Sequence, residues 1–249
     1  MSKLTTIYGL HAIQAALKTS AQRVQDLYVY QGRRDQKIQK VVDAAKRNDI
    51  TIHFVDKKAL DEFVDGNHQG VVATIEGGKT YQEQDLYPLV ENLEGTPFIL
   101  VLDGVTDPHN LGACLRSADA AGVHALVIPK DNSVGVNDTV RKVASGAAET
   151  VPVIPVTNLV RCLKKLQELG LWVTGLAGEA EDLVYNSDLT GPRVIVMGAE
   201  GDGMRRLTRE TCDSLVKIPM EGTVSSLNVS VATGIVLFET LRQRGLSDL

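Results

Sequence analysis

Ile218-Pro219-Met220-Glu221-Gly222-Thr223-Val224-Ser225-Ser226-Leu227-Asn228-Val229-Ser230-Val231-Ala232-Thr233-Gly234-Ile235 runs from a polar, glycine-containing loop straight into an almost uniformly apolar segment. Such a junction reads as the start of a buried terminal helix, with Ser226 or Asn228 accepting backbone N–H groups that lack intrahelical partners. Ser225, Ser226 and Asn228 together supply more polar groups than one cap uses. Ser230, Ala232, Thr233 and Gly234 are small enough for another backbone to approach the helix start.

Upstream of this junction the chain alternates regularly from Pro97 onward. Phe98–Asp103, Ala125–Pro129, Trp172–Leu176, Val194–Gly198 and Leu215–Pro219 read as strands. Helical spacing between them covers 111–121, 138–148, 159–169 and 205–212. The strand runs are continuous Val, Ile and Leu, the pattern of a parallel sheet covered on both faces. Ligands in such sheets bind beyond the carboxyl ends of the strands, where Asp103, Gly175, Gly198 and Pro219 fall. A Rossmann fingerprint after the first strand is missing, because the glycine-rich turn Gly198-Ala199-Glu200-Gly201-Asp202-Gly203 comes late and has other spacing.

Residues 1–75 read as a separate small α/β unit. An apolar helical stripe (Leu10, Ile13, Ala16, Leu17) and another at Ile38, Val41, Val42 and Ala45 alternate with strand-like Leu27–Tyr30, Thr51–Val55 and Val71–Ile75. Residues 76–96, opened by Glu76-Gly77-Gly78 and rich in acid, read as a linker that holds a short helix through Leu86, Leu89, Val90 and Leu93. The net charge of −5 argues against nucleic acid only on average, since residues 1–75 carry eleven Lys/Arg against eight Asp/Glu. Arg33-Arg34, Lys37, Lys40, Lys46-Arg47 and Lys57-Lys58 cluster there. Counterion release rewards such local clusters, although solvated faces have the same composition. The three cysteines and five histidines show no ligand spacing, so neither a disulfide framework nor a metal site is expected. No apolar run is long enough to span a bilayer and no signal pattern opens the chain, so the expected location is cytoplasmic.

Three stretches carry a more specific signal: Asn110-Leu111-Gly112-Ala113-Cys114-Leu115-Arg116, then Met197-Gly198-Ala199-Glu200-Gly201-Asp202-Gly203, then Ile218-Pro219-Met220 with Ser225-Ser226-Leu227-Asn228-Val229-Ser230-Val231-Ala232. In this order they resemble the three motifs of the SpoU (TrmH-type) branch of the SPOUT RNA 2'-O-methyltransferases. The Tyr8-Gly9-Leu10-His11-Ala12 and His68-Gln69-Gly70 stretches resemble the substrate-binding domain of the same enzymes. The run from Leu102 to Gly122 is similar to bacterial 23S rRNA guanosine-2'-O-methyltransferases.

The resemblance implies an α/β protein with an N-terminal L30e-like RNA substrate-binding domain (1–75), a linker (76–96) and a parallel-sheet SPOUT domain with a trefoil knot (97–249). It implies methyl transfer from S-adenosyl-L-methionine to a guanosine 2'-hydroxyl in the P-site loop of 23S rRNA, by a homodimer and without a metal. Leu176, Gly198, Gly201, Ile218, Met220 and Leu227 are then the cofactor-binding residues. Asn110, Arg116, Glu200, Ser226 and Asn228 form the catalytic set. A guanidinium is a poor general base because its pKa lies above ~12. Arg116 is therefore expected to hold phosphate and stabilise the developing alkoxide; read without the motif, it is a surface ion-pair partner of Asp119 or Asp103. Two other readings stand beside this one: the same chemistry on a tRNA guanosine, and a non-catalytic RNA-binding or ribosome-assembly protein.

Overall fold

The structure, a computed structural model, describes residues 4–33, 35–76, 80–199 and 201–245. Glu200, Arg34 and Gly77-Gly78, all singled out above, lie outside the described residues. The chain divides into two units, one reaching to Thr80 and taking in Ser145–Thr150, the other made of Tyr81–Ala144 and the chain from Val151.

The first unit contains β1 (Leu4–Tyr8), α1 (Leu10–Thr19), β2 (Val24–Tyr30), α2 (Gln36–Arg47), β3 (Thr51–Val55), α3 (Lys57–Phe63) and β4 (Val71–Glu76). Its sheet runs β1-β4-β2-β3, with β2 and β3 parallel and the other pairs antiparallel. The apolar stripes of α1 and α2 close over Leu27, Val29, Ala73 and Ile75. The two signature stretches meet here. Gln69, in the left-handed region at φ 52°, accepts the Leu10 N–H at 3.0 Å through its side-chain oxygen and so caps α1 from 59 residues away. Buried His68 accepts the Gly70 N–H at its Nδ1 (3.0 Å) and donates from Nε2 to Asp61 (3.0 Å), while His11 is exposed.

The second unit begins with α4 (Glu83–Glu91), inside the stretch expected to be a linker. It is packed helix, with Leu86 and Val90 buried in the main core. Then follow β5 (Phe98–Asp103), α5 (Pro108–Ala120), β6 (Ala125–Pro129), α6 (Asp138–Ala144), α7 (Ala147–Thr150, grouped with the first unit) and β7 (Val153–Val156). The chain ends with α8 (Leu159–Glu168), β8 (Trp172–Leu176), β9 (Asp182–Leu183), β10 (Arg193–Gly198), α9 (Arg206–Thr211), β11 (Ser214–Lys217) and α10 (Val229–Gln243). The seven strands pair in the order β7-β6-β5-β10-β8-β11-β9, every pair parallel. All six residues of β5 are buried, as a central parallel strand requires. Ile99, Val101, Val194 and Val196 face a cluster that includes α4 and α8, so the alternating residues turn toward the opposite layer. In that layer α10 packs on α5, Cys114 Sγ lying 3.5 Å from Thr233 Oγ1.

The helix expected over 138–148 is broken. Ser145 (φ 53°) and Gly146 (φ 102°) both adopt the left-handed conformation that ends a helix. Strand register places Gly198 beside Asp103 and Val216 beside Leu176, which brings the carboxyl ends of β5, β8, β10 and β11 to one edge.

Candidate active site

That edge is concave. A cavity of about 390 Å³ opens over the ends of β8, β10 and β11, and Leu176, Gly198, Gly201, Ile218, Met220 and Leu227 all contribute to its wall, as does Ser226. The size falls within the ~300–1,000 Å³ usual for small-molecule sites. Gly198 owes its identity to packing: a Cβ there would lie 2.2 Å from the backbone of both Gly203 and Met204. The turn after it folds back so tightly that Ala199 and Gly203 exchange both backbone hydrogen bonds at 3.1 Å. Gly201 (φ 83°) and Gly203 (φ 68°) take conformations that side chains resist.

The loop after β11 closes the other side and ends at α10. Of the two candidate caps, Asn228 is the one used: its Oδ1 accepts the Ser230 N–H at 3.0 Å. Its Nδ2 donates to Asn110 Oδ1 at 2.9 Å, a bond between residues 118 apart that ties the first and third motifs together. Asn110 sits in the first turn of α5, only 8% exposed, where Asp107 caps the helix through the His109 N–H (2.9 Å) and Pro108 fixes the first turn.

A second cavity of about 480 Å³ adjoins the first. Asp103, Asp107, Asn110, Asn132 and Arg205 help to line it, and Ala199, Asp202 and Val229 belong to both walls. Asp103 does not pair with Arg116. Its buried carboxylate receives the Arg205 backbone N–H (3.0 Å), Nε (2.7 Å) and Nη2 (2.6 Å), which fixes the second turn against the end of β5. Arg116 lies farther along α5, exposed, and belongs to neither wall; among the described residues it has no hydrogen-bond or ion-pair partner.

Sequence reasoning missed part of the lining. Ala177, Gly178 and Glu179 continue from the end of β8 into the first cavity, and their position just past a parallel strand was the available signal. Glu179 pairs with Arg209 at 2.6 Å, and its backbone hydrogen bond together with that guanidinium hold its carboxyl below the usual range. Cys212 lies behind Gly175, and burial, reinforced by Asp213 and Asp103, pushes its thiol up to about 12. It is no thiolate nucleophile at neutral pH. Among the described residues no group of three His, Cys, Asp or Glu side chains is arranged to hold a metal ion. No described helix is long and apolar enough to cross a membrane.

The model of the SpoU rRNA Methylase family matches residues 97–238, and that for RNA 2'-O ribose methyltransferase substrate binding matches residues 6–81. A curated protein of Pseudomonas syringae pv. tomato, the 23S rRNA (guanosine-2'-O-)-methyltransferase RlmB, is 56% identical over 244 residues, 98% of each chain. A crystal structure of an RNA 2'-O ribose methyltransferase, 27% identical, superposes with a TM-score of 0.78 over 97% of this chain and 89% of the other. The SpoU methyltransferase AviRb from Streptomyces viridochromogenes, solved in complex with AdoMet, shares the fold at 21% identity and a TM-score of 0.77, over 96% and 90%. The chain, with its motifs gathered at one edge of a parallel sheet, belongs to the SpoU rRNA methylase family.

Proposed function

We propose that this chain transfers a methyl group from S-adenosyl-L-methionine to the 2'-hydroxyl of a guanosine in the P-site loop of 23S rRNA. One observation carries the reading: the residues expected to hold the cofactor line a single cavity, and Asn110, held by Asn228, lines a second cavity that shares Ala199, Asp202 and Val229 with the first. The cavity suits the cofactor. Leu176, Ile218 and Leu227 can cover an adenine, and the crowded backbone at Gly198 leaves polar main-chain groups near its edge. When bound, the cofactor supplies an activated methyl at its sulfonium, so no metal or covalent intermediate is needed. The 56% identical relative named for this reaction and the AdoMet complex of AviRb support both substrate and cofactor.

In this reading Ser226, Asn228 and Asn110 orient the acceptor ribose. Arg116 stabilises the developing alkoxide, and Glu200 orients Asn228 or Arg116. Residues 1–75 form the RNA substrate-binding domain, L30e-like in its mixed sheet flanked by helices, and 97–249 the methyltransferase domain, joined through 76–96. The strand order β10-β8-β11 makes the β10–β11 connection pass across β8 before α10 returns to β10, which supports a trefoil knot. A homodimer is supported by α10, whose outward Val231 (51% exposed) and Phe238 (48%) flank Gly234 and Ile235 in an uncovered apolar stripe. Arg116 on the neighbouring α5 then lies at the dimer side of the site. An rRNA substrate implies a cytoplasmic location.

The test is incubation with methyl-tritiated S-adenosylmethionine and either 23S rRNA or tRNA. Label is expected in 23S rRNA, mapping by primer extension at low nucleotide concentration to one guanosine 2'-oxygen. Label in tRNA alone would overturn the substrate.

A further inference from the structure

The second cavity has polar groups to spare. Both carboxylate oxygens of Asp103 are taken by Arg205, which also spends that cation. Asp107 uses Oδ1 on the His109 N–H, and its Oδ2 has no partner among the described residues. Asn110 is more than nine-tenths buried, with Oδ1 engaged by Asn228 and Nδ2 unpartnered among the described residues. Asp107, the N-cap of α5, and Asn110, in its first turn, both line the cavity. The cavity thus offers both an anionic acceptor and an amide donor.

A phosphate group fits this lining badly, because it would meet Asp107 and Asp202 with no unspent cation among the described residues of the wall. A guanine fits it well. Its Watson–Crick edge carries N1–H and N2–H side by side, two donors that one carboxylate can accept, whereas adenine and cytosine each present a ring-nitrogen acceptor there. Enzymes that act on a nucleotide commonly splay it out and read that edge in a pocket. We infer that the second cavity receives the base of the target guanosine and that Asp107 selects it by accepting from N1–H and N2–H, with the ribose at the Asn110–Asn228 junction. The inference rests on the guanosine 2'-O-methylation proposed above and adds the residue that chooses the base.

Asp107→Asn is a discriminating variant, because Asn and Asp are comparable helix caps while only the carboxylate accepts both donors. Ribosomal RNA transcripts carrying either guanosine or inosine, which lacks the N2 amine, at the mapped position would be methylated by wild type and variant. Wild type is expected to prefer guanosine by about tenfold in kcat/KM; in the variant guanosine turnover should fall about ten- to a hundredfold and the preference disappear. Calorimetric binding of S-adenosylmethionine by the variant should match wild type, which separates base reading from misfolding. Equal wild-type turnover of guanosine and inosine, or a variant that keeps the wild-type preference, would overturn the inference. A wild-type protein that methylates neither transcript would instead overturn the reaction itself.

Discussion

Asn228 serves two structures at once. Its Oδ1 receives the Ser230 N–H and Oγ at 3.0 and 2.6 Å, closing the start of α10, while its Nδ2 holds Asn110. For Asn228→Ala, loss of the cap should cost about 1 kcal/mol, a fall of roughly 2–4 °C in Tm for a chain of this size. Release of Asn110 should lower kcat about a hundredfold, with cofactor affinity largely kept. Single-turnover methylation and a melting curve measure both; unchanged turnover would remove Asn228 from the acceptor machinery. At this scale the residues named for the cofactor side line the first cavity and Asn110 lines the second, whereas Arg116 and Asn228 line neither. The Asp103–Arg205 pair was not legible in the sequence. Nothing in a sequence announces a partner 102 residues away, and Asp103 was instead weighed as a partner for Arg116.

At the scale of elements, the strand ends decide where chemistry can occur. The β10 turn is the most constrained, since any side chain at Gly198 meets backbone rather than a movable side chain. Gly198→Ala should therefore displace the 199–204 turn, cost about 1–3 kcal/mol and weaken S-adenosylmethionine binding at least tenfold by calorimetry. Wild-type affinity in a variant of wild-type stability would show that the turn does not shape the cofactor cavity. The central strands were readable because strands covered on both faces are continuously apolar. The short edge strand β9 and the Pro155-containing β7 gave no such run. The Ser145-Gly146 pair that splits α6 from α7 is a turn dipeptide inside an otherwise helical stretch, and the acidic composition around α4 made a helix packed on the main core read as part of a linker.

For the whole molecule, charge and fold divide the labour. The mildly basic N-terminal residues match a model for RNA 2'-O ribose methyltransferase substrate binding, and the acidic remainder carries both cavities. Composition alone suggested neither partner, because a net charge of −5 averages the two. What unites the molecule is the gathering of three loops, distant in sequence, over one sheet edge. A crystal structure of the protein grown with saturating S-adenosylmethionine tests that most directly. The ligand is expected among Gly198, Ile218 and Leu227 with its methyl directed toward the Asn110–Asn228 hydrogen bond; ligand bound elsewhere, or no ligand at saturation, would contradict the shared pocket.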